Sequence, residues 1–361
     1  MEPNKITVGI IFGGQSAEHD VSLKSAHALY THLDKDQYTP LFIYISRDTG
    51  RWQIIDEQTF ISRDMHALPS SGYSFLPWGD SVGEHMNADI YFPMLHGPNG
   101  EDGKIQSLLE LAGKPYVGAN SLASALAMDK AVAKMLFQRA GLQVTDYVLA
   151  QRYDYDEIKK RIDARSLTYP LFIKPNAMGS SVGISKVTEE SQLKEALELA
   201  FQYDRKVLIE QGLDIREIEV SVMGNDALMV SRPGELIPHN DFYDYNDKYI
   251  DGKTAFYMPA HLEPEFEQQI RITAEDAYRA LFLNGMSRVD LFIEKQTRTI
   301  YVNEINTIPG FTEISMFPKL WTLQDISFTE LITRLIGYGF EYWNQQPIST
   351  ALHDGITLPS Q

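Results

Sequence analysis

The chain has 361 residues, 43% hydrophobic and 22% charged, which suits a folded protein of two or three domains and excludes a disordered one. Asp plus Glu outnumber Lys plus Arg by 49 to 32, a net charge of −17, so the surface disfavours nucleic acid and anionic membrane as partners. It contains no cysteine, which excludes disulfides, thiolate catalysis and thiolate metal sites and makes a reducing cytoplasm the expected location.

ITVGIIF (6–12) reads as a buried strand closed by Gly13-Gly14. Its apolar run is too short for a membrane span and lacks the cleavage site of a signal peptide. A helix follows, with Leu23, Ala26, Leu29, Tyr30 and Leu33 at apolar spacing. TPLFIYIS (39–46) and ADIYFPMLHG (88–97) are further strands, and KIQSLLELAG (104–113) is an amphipathic helix closed by Gly113. The alternation predicts a parallel sheet with ligands at its strand C-termini, in a domain over 1–120. A central domain is expected over 121–215. It has a helix at 129–141 capped by Asp129 and Gly141, strands at 169–175 and 182–187 around a Gly/Ser-rich turn, a helix at 190–203 and a strand at 206–211. The last domain, 216–361, opens with strands at 216–224 and 227–238. It continues through an irregular aromatic stretch at 239–259, a helix at 264–284, strands SRVDLFIE (287–294) and TIYVNEIN (299–306), and a helical C-terminal region.

Those last two strands carry the strongest local signal. A hairpin centred on Thr297 sets Asp290 opposite Glu304 and Arg288 opposite Asn306, about 4.5–5.5 Å apart at Cβ. Two carboxylates and an amide in that arrangement suit a hard divalent cation; the alternative is a solvated strand end with an Arg–Asp pair. Lys174 ends a strand before Gly179-Ser180-Ser181-Val182-Gly183, a turn able to fold over a polyphosphate or to serve as a plain hairpin. The same string fits a G-x-S-x-G nucleophile elbow, but a strand and not a helix is expected after it, which disfavours a serine hydrolase. Gly252-Lys253-Thr254 lacks the preceding glycine of a Walker A loop. Lys130 lies in a first helical turn, where a bound anion would offset its charge; the alternative is a lysine extended into water. Six aromatics and Lys248 within 239–259 favour a lid over a disordered loop. Glu18, His19, Asp20 and Ser22 follow the first strand, and His96 and Glu101 follow the third. Each group alone is ordinary turn or cap chemistry; both at one sheet edge favour a site.

Taken in order, FGGQSAEHDVS (12–22), HGPNGEDG (96–103), MDKAVAK (128–134), KPNAMGSSVG (174–183), FYDYNDKYIDGK (242–253), SRVD (287–290) and NEINTIPGFTEISMFPKLW (303–321) resemble the D-alanine–D-alanine ligase family of the ATP-grasp superfamily. The resemblance covers nearly the whole chain. It implies an α/β ATP-grasp fold, in which an N-terminal parallel α/β domain precedes two α+β domains that sandwich ATP. Lys130 and Lys174 then match phosphate-binding lysines, aided by Lys248, and Gly179, Ser181, Val182 and Gly183 match the loop over the phosphates. Glu210, Leu213 and Glu217 match adenine and ribose contacts. Asp290, Glu304 and Asn306 match the ligands of two Mg²⁺ or Mn²⁺ ions. Glu18 matches the residue that binds the first D-alanine's ammonium, with Val21 and His96 beside that substrate, and Ser315 and Met316 match the second substrate's site. Tyr249, Ser180 and Glu18 match a set joining lid to substrate, and Arg288 and the Gly310 N–H match oxyanion stabilisers.

The implied reaction joins two D-alanines through a D-alanyl phosphate for peptidoglycan precursors, in a homodimer. Asn176-Ala177 departs from the Ala-Asn expected in many relatives. Tyr249 favours the dipeptide, because relatives forming D-alanyl-D-lactate usually carry Phe or His there. Competing readings are another carboxylate–amine or D-alanine–D-lactate ligase of this superfamily, a nucleotide sensor without turnover, and a hydrolase using Ser181.

Overall fold

The computed structural model describes residues 5–62, 74–75, 87–151, 154–237 and 255–345. Its first sheet contains β1 (Ile6–Gly13), β2 (Tyr38–Ile45), β3 (Trp52–Ile55), β4 (Ser74–Phe75) and β5 (Ile90–Met94), in the order β4-β3-β2-β1-β5. β1 pairs in parallel with β2 and β5, as the alternation predicts. β3 and β4 extend one edge in antiparallel fashion; both are too short to show a periodicity in the sequence. Among the described residues, three helices accompany this sheet: α1 (His19–His32), α2 (Glu57–Ser62) and α3 (Lys104–Leu111).

A four-stranded sheet follows, in the order β6-β9-β7-β8. Its strands are β6 (Tyr147–Ala150), β7 (Leu171–Pro175), β8 (Ser185–Val187) and β9 (Val207–Gln211). Ahead of it lie α4 (Ser121–Met128) and α5 (Lys130–Arg139); α6 (Tyr155–Ala164) and α7 (Glu190–Tyr203) accompany it. Ile158, Ile162, Leu193 and Leu197 of α6 and α7 pack on Val148, Leu171, Ile173, Val207 and Ile209 of the sheet. Strand alternation therefore turns Lys174 and Glu210 to the opposite face.

The third sheet runs β13-β12-β10-β14-β15, with β11 beside β10. Its strands are β10 (Ile215–Gly224), β11 (Leu228–Val230), β12 (Gly234–Ile237), β13 (Ala255–Tyr257), β14 (Met286–Glu294) and β15 (Ile300–Asn306). One face is covered by α4, α5 and α8 (Pro264–Ala280), through Ala123, Phe137, Ile270 and Tyr278 against Ile218, Val220, Val289, Leu291 and Val302. Glu217, Glu219, Arg288 and Asp290 alternate onto the other face.

Several expected spans change: residues 255–257 of the stretch expected to be irregular form β13, the strand expected over 182–187 begins at Ser185, and two others differ more. The strand predicted over 227–238 is two short strands, β11 and β12, separated by Ser231-Arg232-Pro233; proline supplies no N–H to a ladder. The helix predicted to reach 284 stops at Ala280, and Phe282 turns to φ +57. The last described elements are α9 (Met316–Thr322) and α10 (Phe328–Gln345), which pack back on the first sheet.

Candidate active site

A cavity of about 610 Å³ opens where the three sheets meet. Glu18, Val21 and His96 line it from the first sheet, and Gly179 and Ser180 from the turn after β7. Arg288, Glu304 and Asn306 come from the third sheet, and Gly310, Ser315 and Met316 from the segment beyond it. These eleven positions thus share one space, although they span residues 18 to 316.

Glu18 is buried just ahead of α1. Its backbone N–H donates to Ser16 Oγ at 3.1 Å, and the Ser180 hydroxyl donates to its carboxylate. A Cβ added at Gly97 would lie 2.6 Å from Glu18 Oε2, and one at Gly179 3.1 Å away. Two loops distant in sequence thus close tightly on this carboxylate, and at Gly97 a φ of +76° also favours glycine. His96 is also buried: its Nδ1–H donates to the Ile308 carbonyl at 2.9 Å, and its Nε2 accepts from Ser25 Oγ at 2.8 Å. Burial holds its pKa below the ordinary histidine value, so this neutral tautomer fits both bonds. Burial, reinforced by the negative charge of Glu18, pushes the Glu101 carboxyl up to about 8.

On the third sheet, Asp290 faces Glu304 and Arg288 faces Asn306, the register expected from the sequence. Beyond Asp290 the register shifts by one, with Leu291 opposite Val302. Asn303 is the extra residue of this bulge. It lets Val302 and Ile305 both face the apolar core while Glu304 stays at the cavity. Arg288 grips Asp290 through two contacts of 2.7 Å and lies 3.3 Å from Glu219. Burial disfavours its charge, but Asp290 and Glu219 outweigh that and keep its pKa well above the ordinary arginine value. Asn306 Nδ2 donates to Asp290 at 3.0 Å, and Glu304 lies 3.2 Å from Lys130 Nζ. Among the described residues, no three His, Cys, Asp or Glu side chains form a metal-binding group. The donor set here is two carboxylates and an amide, which fits a hard divalent cation completed by phosphate oxygens and water.

Facing these groups is a lysine–glutamate cluster drawn from the second sheet and α5. Lys130 is largely buried at the start of α5, and besides Glu304 its ammonium donates to the Met178 carbonyl at 2.8 Å. It therefore joins the Gly/Ser turn to the acidic strand and does not extend into water. Lys174 pairs with Glu210, whose other oxygen is 2.6 Å from Lys134. Burial opposes the charge on Glu210, but Lys134 and Lys174 overcome it and bring its pKa to about 2. Lys174 is held above the ordinary lysine value, because Glu210 outweighs burial. Burial holds Lys134 below it. Leu213 and Glu217 are half-buried where β9 passes into β10. Ser180, Ser181 and Gly183 have φ of +53°, +58° and +71°, and the turn reverses antiparallel strands. No helix follows, so the nucleophile-elbow reading of Ser181 fails. Val182 donates its N–H to the Gly179 carbonyl at 3.2 Å within the same turn.

Lys134, Thr145 and Glu219 were not apparent as site residues in the sequence. Lys134 lies one helical turn after Lys130, and that spacing was its available signal. Thr145 accepts from Lys134 at 3.0 Å, a contact no local pattern announces. Lys248, Tyr249 and the sequence Gly252-Lys253-Thr254 lie outside the described residues.

Comparison with known proteins gives a consistent result. Family models described as D-ala D-ala ligase N-terminus and D-ala D-ala ligase C-terminus match residues 7–119 and 136–337. A D-alanine–D-alanine ligase of Thermoanaerobacter sp. (strain X514) is 46% identical over 360 residues, covering 96% of this chain and 99% of that protein. One of Chloroherpeton thalassium is 42% identical, with 96% and 99% covered. Among solved structures, the VanG D-Ala:D-Ser ligase of Enterococcus faecalis superposes with a TM-score of 0.85 at 37% identity, over 93% of this chain and all of that one. The D-alanine–D-alanine ligase of Coxiella burnetii gives 0.85 at 33% identity, over 97% and 98%.

Proposed function

The chain belongs to the D-alanine–D-alanine ligase family, and from that premise we propose how its own residues divide the work. It is an ATP-dependent ligase of ATP-grasp fold that joins two D-alanines, through a D-alanyl phosphate, for peptidoglycan synthesis. The observation that carries the assignment of roles is the convergence of the Glu18–Ser180 pair with Arg288, Glu304 and Asn306 on one cavity.

Glu18 receives the ammonium of the first D-alanine, with Val21 and His96 beside it. His96 is neutral, so it orients without adding a charge. The carboxylate of that substrate attacks the γ-phosphoryl group of ATP, and ADP leaves. Lys130 and Lys174 offset the charge on the phosphates, beneath the turn of Gly179, Ser181, Val182 and Gly183. Leu213 and Glu217 are assigned to the base and ribose. Glu210 is engaged by Lys134 and Lys174, and this fixes where its carboxylate can meet the nucleotide. Asp290, Glu304 and Asn306 would hold one or two Mg²⁺ or Mn²⁺ ions, which when bound supply charge neutralisation at the phosphates. The amine of the second D-alanine, set by Ser315 and Met316, then attacks the acyl carbon. Arg288 and the Gly310 N–H receive the developing oxyanion, and phosphate departs as the amide forms. Lys248 and Tyr249 are assigned to the lid. A homodimer in the cytoplasm is the proposed setting; no described helix is long and apolar enough to cross a membrane.

Incubation with ATP, Mg²⁺ and D-alanine tests the reading. Release of ADP and phosphate that depends on D-alanine and not on L-alanine is expected, and its absence refutes the assignment. The likeness to a D-Ala:D-Ser ligase supplies a second reading. Adding D-serine or D-lactate to the same assay, with product analysis, separates the acceptors.

A further inference from the structure

Glu101 lines the cavity but has no part in the mechanism above. Its two carboxyl oxygens accept from two different loops. The Gly97 N–H donates to Oε2 at 2.7 Å, and the Ile308 N–H donates to Oε1 at 3.1 Å. Gly97 stands beside Glu18, where an added Cβ would lie 2.6 Å from the Glu18 carboxylate, and Ile308 stands two residues before Gly310. The Ile308 carbonyl is bonded to His96, so this peptide is held on both sides by the loop after β5. Further along, the Thr312 N–H donates to Ser315 Oγ at 3.1 Å. The segment from Ile308 to Thr312, which contains Gly310, is thereby held by Glu101 and His96 at its start and by Ser315 at its end.

We infer that Glu101 is a positioning residue for the second chemical step: it fixes the Gly310 N–H against the acyl group held at Glu18. The inference rests on the ligase reading and extends it. A carboxyl group suits this role because it offers two acceptor atoms that can meet two N–H groups from separate loops. Stability alone is a poor reason to keep it. Burying such a group is costly, and the nearby negative charge of Glu18 adds to the cost, as its raised pKa records. Its return is geometric. A displacement near 1 Å at a reacting group costs on the order of 10²-fold in rate.

The test is a single-turnover comparison of the full-length wild type with Glu101→Ala and Glu101→Gln, quenched to quantify ADP and dipeptide separately. In wild type, dipeptide is expected to follow ADP closely. In Glu101→Ala, dipeptide formation should fall roughly 10²-fold while ADP formation and the KM for ATP stay within about threefold. Glu101→Gln keeps one acceptor oxygen and should recover part of the loss. Dipeptide formation at the wild-type rate in Glu101→Ala overturns the proposal. So does an equal fall of ADP and dipeptide formation, which would mark general damage to the site. If Glu101→Ala does not fold, the same ADP-to-dipeptide ratio is read in Glu101→Gln. Wild-type enzyme that forms no ADP with D-alanine refutes the ligase reading itself, and the proposal with it.

Discussion

Glu304 is 3.2 Å from Lys130 and directly opposite Asp290, so one carboxylate joins a lysine of α5 to the acidic pair of the third sheet. Glu304→Gln keeps its shape and removes its charge. The ion pair is partly solvated, so its loss should cost no more than about 1 kcal/mol of stability. Turnover should fall by roughly 10²–10³-fold or more if, as proposed, the group acts where phosphate charge develops. Steady-state kinetics beside a thermal melt checks both; turnover within a few-fold of wild type removes Glu304 from the site. Glu210 gives the matching prediction for pH. Its folded pKa of about 2 lies below the ordinary glutamate value, so its charge stabilises the fold above about pH 4.5. That contribution, on the order of 3 kcal/mol, is lost as pH falls from 4.5 towards 2. Lys134→Met should reduce this acid sensitivity and lower stability at pH 7, as read from melts across that range; an unchanged slope contradicts the pairing. Lys174 was legible because it ends an apolar strand ahead of a glycine-rich turn. Lys134 was not, because a lysine on an amphipathic helix ordinarily marks the solvated side, and its buried partner lies 76 residues away at Glu210.

At the scale of elements, the hairpin at 286–306 shows what strand alternation can and cannot supply. Counting outwards from Thr297 gives Asp290–Glu304 and Arg288–Asn306 correctly, yet the pairs nearer the turn follow a register one residue different. The bulge at Asn303 reconciles the two, and a strict period of two has no means of announcing it. The Gly/Ser turn was equally open to two readings. Its conformation becomes specific only where Gly183 meets its neighbours. A Cβ there would lie 2.6 Å from the Tyr203 ring and 2.9 Å from Pro175 Cγ, at a φ of +71° that side chains rarely adopt. Gly183→Val should therefore distort the turn that carries Ser180 and Ser181. The expected result is a KM for ATP raised about tenfold or more, with only a small shift in Tm, since the turn belongs to no apolar core. An unaltered KM for ATP would mean that the turn does not contact the nucleotide.

The first and third sheets are tied together by α9 and α10. Val8, Ile10 and Phe12 of β1 and Ile90 and Phe92 of β5 are covered by α1 and by Phe317, Trp321, Leu331, Ile332, Leu335 and Ile336 of α9 and α10. Met223 and Met286 of the third sheet join the same core. The opposite face of the first sheet is closed locally, by Ile105 and Leu109 of α3 against Ile11, Ile43 and Tyr91. Amphipathic spacing predicts that each of these helices has an apolar face, but not which sheet receives it, because the match is made over some 300 residues of chain. The arrangement has a mechanical consequence: Glu18 and His96 on the first sheet are referenced to Arg288 and Glu304 on the third through a shared core as well as through loops. Leu335→Ala should test that coupling. The side chain is fully buried and lines no part of the cavity, so the loss should be about 2–5 kcal/mol of stability, with kcat at 25 °C near the wild-type value. If the core is continuous, the variant should still melt in one transition at a lower Tm, with loss of activity following that transition. A separate early transition for the first sheet, at a temperature where a nucleotide still stabilises the remainder, would show instead that the sheets unfold independently and that the loops alone hold the two halves of the site in register.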